Sequence, residues 1–185
     1  MALFFSLLAL AANVATVAIV VSALTARRGP APLLDALRGS ELWLAFAVAA
    51  VATLGSLYLS EIAHLEPCKL CWFQRIAMYP LTVILGVAAW RRDAGVRLPG
   101  AILAGVGATV SVYHRLIQAF PGLEGTSCNP AVPCTAAYVQ RFGVVTIPYM
   151  ALSAFTLILA LLWTHRRNTI ADAPSFDEPT LQERA

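Results

Sequence analysis

Five runs of apolar residues, at about 2–26, 41–64, 72–90, 98–120 and 144–163, constrain this chain more than any other feature of its sequence. Each is close to the ~20 residues that an α-helix needs to cross ~30 Å of hydrocarbon at ~1.5 Å per residue. A soluble protein of 185 residues cannot hide them: 59% of the chain is apolar and 12% charged, which leaves too little polar surface for the outside. The expected fold is therefore an all-α integral membrane protein. It would be a four-helix transmembrane bundle with one additional N-terminal transmembrane helix.

The division into four helices plus one comes from the first connection. Residues 27–40 carry Gly29, Pro30 and Pro32 and read as a linker. Residues 1–40 are thus an extra helix with its linker, expected to pack outside the bundle, and 41–165 are the bundle. The polar stretch 166–185, with Pro174 and Pro179, is expected to be a disordered tail. The first run has no basic n-region and ends in Arg27-Arg28 rather than a small-residue cleavage site, so it reads as a retained anchor, not a signal peptide. Small residues recur four apart at Ala45 and Ala49, and at Gly100, Ala104 and Ala108. Such rows let helix backbones approach closely in lipid, although abundant alanine produces them too.

Charge position sets the expected orientation. Arg27, Arg28 and Arg38 follow the first run, Arg91, Arg92 and Arg97 the third, and Arg166 and Arg167 the fifth. By the positive-inside rule these segments are cytoplasmic. The N-terminus is then outside, the C-terminus cytoplasmic, and the protein multi-pass. The other two loops, one holding Lys69 and the other Arg141, face outward. The formal net charge of +3 adds nothing, and no nucleic-acid partner is expected.

All four cysteines fall in the two outward loops. Cys68 and Cys71 form a C-x-x-C pair just before the third run, and Cys128 and Cys134 lie in the second loop with Pro130 and Pro133 between them. On an oxidising face, even numbers of cysteines point to disulfides. Three readings compete: two structural bridges, a four-thiolate zinc site, and two redox pairs that exchange electrons. Free thiolates for zinc are hard to keep on that face, so no metal is expected. Haem attachment fails because Trp72 stands where C-x-x-C-H needs histidine. The redox reading is favoured by the position of Cys71 at the start of a helix, whose dipole and free N–H groups stabilise a thiolate. Lys69 and, one turn inward, Arg75 add positive charge. A two-residue spacer also closes too small a loop to be a useful staple.

Arg75 within an apolar run either snorkels to the interface or binds a polar carbonyl group near Cys71. His114, late in the fourth run beside Arg115, is either a donor to such a group or a packing residue. Glu61 and His64 read as interface markers. Tyr138, Val139 and Phe142, with Gln140 and Arg141 interleaved, suggest a short interfacial helix holding the second loop at the membrane surface.

Leu54-Gly55-Ser56-Leu57-Tyr58 with Ser60-Glu61, Pro67-Cys68-Lys69-Leu70-Cys71-Trp72-Phe73-Gln74-Arg75-Ile76 and Met78-Tyr79-Pro80-Leu81 resemble the disulfide bond formation protein B (DsbB) family. Cys128-Asn129-Pro130-Ala131-Val132-Pro133-Cys134 with Thr146-Ile147-Pro148 resembles its BdbC-type branch. The resemblance covers about residues 41–163. It implies a membrane thiol–disulfide oxidoreductase that reoxidises an extracytoplasmic DsbA-like, thioredoxin-fold partner and passes the electrons to a membrane quinone, ubiquinone or menaquinone. That route is the established one for keeping the bacterial periplasm oxidising. Carried over by residue, Cys68 and Cys71 are the quinone-linked pair with Cys71 facing the quinone. Cys128 forms the mixed disulfide with the partner, Cys134 is its mate, and Arg75 and His114 lie on the quinone side. The first helix is extra to the family's usual four, and the loop cysteines are unusually close. The vitamin K epoxide reductase family places its C-x-x-C after the loop pair, the reverse of the order here. The rival is a non-catalytic membrane protein or transporter subunit with two structural disulfides.

The orientation is testable by labelling. In intact cells a membrane-impermeant thiol reagent should modify Cys128 or Cys134 once reduced, and should miss a cysteine placed at Arg92 until the membrane is broken. Labelling of Arg92→Cys in intact cells would reverse the topology.

Overall fold

The computed structural model describes residues 2–26, 32–123, 128, 131–137, 140–141, 143 and 145–171. Among them five helices are long and apolar enough to cross a membrane. They are α1 (Ala2–Thr25), α3 (Glu41–Leu57), α4 (Lys69–Arg91), α5 (Arg97–Ala119) and α6 (Ile147–Ala171). A short helix, α2 (Pro32–Leu37), occupies part of what reads in sequence as linker, and its Leu34 is buried. Gly39, at φ 78°, turns the chain from α2 into α3 in a conformation that suits a residue without Cβ. Directly after α3 the helix widens into a π-turn, Tyr58–Ile62.

The connection between α4 and α5 is tight. Arg92 leaves α4 in the left-handed region and donates its N–H to Ala88, and Asp93 then accepts the N–H of Gly95 at 2.7 Å. Such a short link makes α4 and α5 antiparallel neighbours. Around the bundle α3 packs on α4 and α6, and α5 packs on the same two helices. The rows of small residues face this interior: Ala45, Ala49 and Ala104 are wholly buried, Gly100 is buried and Ala108 partly so. Larger side chains fill the space they leave. The Phe155 ring presses so closely on Gly107 that a Cβ there would overlap it. Thr53 and Thr82 add a 2.8 Å hydroxyl–hydroxyl bond between α3 and α4.

Three expectations need correction. The first is that α1 stands outside the bundle: it lies along α6, with Ile19 and Ala23 buried. Asn13 Nδ2 is 3.0 Å from both Tyr149 Oη and Ser153 Oγ of α6, and the Phe5 ring covers Gly55 of α3. The same amide nitrogen lies 3.0 Å from the Ala9 carbonyl oxygen of its own helix, and its contacts with α6 hold α1 against the bundle. The second concerns the proposed interfacial helix. Gln140–Arg141 is instead a strand, β1, paired antiparallel with β2 (Val145–Thr146), so that Gln140 faces Thr146. The β-branched Val145 and Thr146 are buried, and Gly143 at φ 71° makes the turn. Tyr138, Val139 and Phe142 lie outside the described residues. The third is the tail: α6 continues through Ala171, and 172–185 are outside the described residues.

Candidate functional site

The chain before α4 is extended at Cys68, which occupies the N-cap, while Cys71 lies in the first helical turn. An i, i+3 pair across a helix start brings the two side chains onto one face. Their sulfurs are 3.0 Å apart, as free thiols. Cys68 is buried and Cys71 half-buried. Cys128 and Cys134 are joined in a disulfide, Cys128 half-buried and Cys134 wholly buried.

The fold brings the two pairs together. Cys68 and Cys134 share a small buried cluster with Leu70 and Ile117, against which Cys71 and Cys128 also pack. His114 of α5 stands at the junction, its Nε2 3.1 Å from the Cys134 carbonyl oxygen and 3.7 Å from Cys68 Sγ. A carbonyl only accepts, so Nε2 carries the proton in that bond. Nδ1 is buried, with no hydrogen-bond partner among the described residues. The Cys68 thiol is held far below its ordinary value, at about 4, mainly by the hydrogen bond from Cys71; burial opposes this, and the His114 hydrogen bond adds to the lowering.

On its other side the C-x-x-C borders a cavity of about 490 Å³. Cys71, Gln74, Arg75 and Tyr79 of α4 line it with Ser56 of α3, and its remaining walls are almost all apolar. Arg75 does not simply reach for the interface. Its Nε donates to Ser56 Oγ at 2.9 Å and its Nη2 to the Ser56 carbonyl at 3.1 Å, with the guanidinium carbon 5.3 Å from the Trp72 ring centroid. Tyr79 Oη also reaches Ser56 Oγ, at 3.4 Å. Gln74, one residue earlier, turns inward to donate to Ser111 Oγ at 3.1 Å.

The sequence-derived candidates thus divide into two groups. Arg75 and Cys71 border the cavity. His114, expected beside them, is not on its lining and sits against Cys68 and Cys134 instead. Lys69 is exposed. Glu61 and His64 are exposed. Ser56 and Asn13 carry no role in the sequence reading. Asn13 had a signal: it is the one side-chain amide in a 24-residue apolar helix.

The residues suit a quinone. A cavity of this size is typical of small-molecule sites, the walls match an apolar ring and tail, and Arg75 supplies a positive donor beside a reactive sulfur. They suit a metal less well. The ligand atoms of Cys68, Cys71 and His114 lie within 4.8 Å of one another, but two sulfurs on a tetrahedral zinc at ~2.3 Å would be about 3.8 Å apart, wider than the 3.0 Å here.

Proteins similar to this chain are disulfide formation proteins. The family model described as "Disulfide bond formation protein DsbB" matches residues 39–165. "Disulfide bond formation protein C" of Bacillus subtilis is 46% identical over 122 residues, covering 65% of this chain and 88% of the relative. A "Probable disulfide formation protein" of Deinococcus radiodurans is 42% identical over 146 residues, 74% of this chain and 95% of the relative. No solved structure matches.

The thiolate is measurable. With Cys128 and Cys134 both replaced by serine, the reduced protein should keep its thiolate ultraviolet absorbance as pH falls to about 5 and lose it near 4, against ~8.5 for a free cysteine. His114→Leu should move that midpoint upward, and a wild-type midpoint near the ordinary value would contradict the geometry.

Proposed function

This chain belongs to the disulfide bond formation protein DsbB family, and from that premise we propose that it reoxidises a DsbA-like partner outside the membrane and delivers the electrons to a quinone held in the cavity beside Cys71. Its membership and its five apolar helices make it a membrane thiol–disulfide oxidoreductase; the quinone, the partner and the outward-facing cysteine loops belong to the proposal. The observation that carries it is the position of the C-x-x-C between two different surroundings. One side touches the second cysteine pair and the other touches a cavity bearing Arg75.

The partner's thiolate attacks Cys128, the more exposed sulfur of its pair, and Cys134 leaves. The partner's second cysteine then displaces Cys128, so the partner departs oxidised and the loop pair is a dithiol. Cys134 next attacks Cys68 of the oxidised C-x-x-C, and Cys71 leaves as a thiolate on the cavity wall. Cys128 resolves the Cys68–Cys134 bond, which restores the loop disulfide and leaves Cys68 and Cys71 holding two electrons. His114, with Nε2 3.7 Å from Cys68 Sγ, steadies negative charge on Cys68. Arg75, fixed by Ser56 and Trp72, presents its remaining donors to the cavity, where a quinone oxygen would bind. A bound quinone supplies the two-electron, two-proton sink that returns Cys68 and Cys71 to the disulfide.

Two structural disulfides in a non-catalytic protein would need neither a buried thiolate nor an arginine anchored at a cavity. The test is Arg75→Met, which removes the donor while roughly keeping the stem's volume. Quinone reduction should slow by about 10²–10³, as for loss of a donor to a developing anion, with Arg75→Lys intermediate. Exchange between the partner and Cys128–Cys134 should hardly change. Quinone reduction at the wild-type rate in Arg75→Met would remove Arg75 from the site.

A further inference from the structure

α1 lies outside the stretch that matches the family, yet it forms part of the cavity. Phe5, Leu8, Ala12 and Ala15 line it, at the i, i+3, i+7, i+10 spacing of one helix face. The adjoining face is the one fastened to the bundle. Ala9 is buried, and Asn13 Nδ2 lies 3.0 Å from Tyr149 Oη and Ser153 Oγ of α6 as well as from the Ala9 carbonyl oxygen. At the outer end the Phe5 ring lies on Gly55, where a Cβ would come within 2.8 Å of it, and 6.2 Å from the Tyr58 ring. α1 therefore bridges α6 and α3 across the groove between them. The groove walls also run deep: the lining reaches from Leu59 of the π-turn down to Ala47 on α3, and from Ile147 to Leu157 on α6. Eleven helical residues correspond to about 16 Å. That is longer than a quinone ring needs, and Cys71 and Arg75 belong to only one end.

We propose that α1 is a wall of the quinone site, and that with α3 and α6 it encloses a channel for the ligand's apolar tail, the ring lying at the Cys71–Arg75 end. The inference rests on the quinone reading above and assigns α1 a part in binding. In a bundle of four helices the same groove would open sideways to lipid, and a tail there would gain little over the surrounding acyl chains. Enclosed by Ala12 and Ala15, whose small side chains leave the channel open, the tail contributes to affinity through contact with protein.

The test measures equilibrium binding by quenching of tryptophan fluorescence in the full-length protein. The probes are 2,3-dimethyl-1,4-naphthoquinone and 2-methyl-3-decyl-1,4-naphthoquinone, which share a fully substituted ring and differ in the tail; 2,3-dimethoxy-5,6-dimethyl-1,4-benzoquinone and decylubiquinone give the same comparison for benzoquinones. Ala12→Phe, which fills the channel, should weaken binding of the decyl quinone by about tenfold or more and change binding of the tail-less one by less than about threefold. Val14→Phe, on a face 70% exposed, should leave both unchanged. Asn13→Leu, which cuts the clamp without filling the channel, should lose the same tail-dependent gain and serves if Ala12→Phe does not fold. Ala151→Phe, on the α6 wall, separates the two ideas. Wild-type decyl-quinone binding in Ala12→Phe and Asn13→Leu, with loss in Ala151→Phe, would overturn the role of α1 alone. Wild-type binding in all three would mean that the cavity is not the quinone site.

Discussion

Everything at this site depends on where α4 begins. Because Cys68 is its N-cap and Cys71 falls in its first turn, two sulfurs three residues apart are 3.0 Å from each other yet face different surroundings. Had the helix started one turn earlier, Cys68 would be an interior helical residue, unable to pack against a loop. As it is, Cys68 meets Cys134 and His114, while Cys71 looks onto the cavity. A relay needs such a division, since the same dithiol must exchange with a protein disulfide on one side and with a small oxidant on the other.

The second constraint is the bilayer, in which a polar group must find its partner within the protein. Several polar side chains at the site are answered by another helix or loop. Arg75 goes to Ser56 of α3, Gln74 to Ser111 of α5, and His114 to the carbonyl of Cys134. Asn13 does the same for α1 against α6. These bonds fix which faces meet, a task that apolar packing in lipid performs poorly because acyl chains are as apolar as leucine. They therefore set the geometry of the site as well as the fold.

How much of this could be read from sequence follows from the range of each interaction. Span number, approximate span limits, the rows at Ala45, Ala49, Gly100 and Ala104, and the position of Cys71 near a helix start are local, and length, period and composition reveal them. The resemblance to a known family rests on local motifs as well. What the sequence could not disclose is long-range. Nothing near His114 indicates that it faces Cys68 and Cys134 rather than the cavity with Arg75, because its partners lie 46 and 20 residues away. Ser56 was visible as part of a motif but had no evident task until α3 and α4 were side by side. For α1 the error had a different origin. A Gly- and Pro-containing linker reads as separation, whereas the amide of Asn13 is a sign of attachment.

The central claim is that the two cysteine pairs exchange through Cys134 and Cys68, and trapping that bond tests it most directly. In Cys71→Ala, Cys68 has lost its own partner and its sulfur packs in one cluster with Cys134 of the Cys128–Cys134 disulfide. Attack on Cys134 forms a Cys68–Cys134 bond and frees the Cys128 thiol, with no net change in electrons. Alkylation followed by proteolysis and mass spectrometry should then recover Cys68 linked to Cys134, with Cys128 alkylated. Recovery of Cys68 linked to Cys128, or of an intact Cys128–Cys134 bond with Cys68 alkylated, would contradict the account.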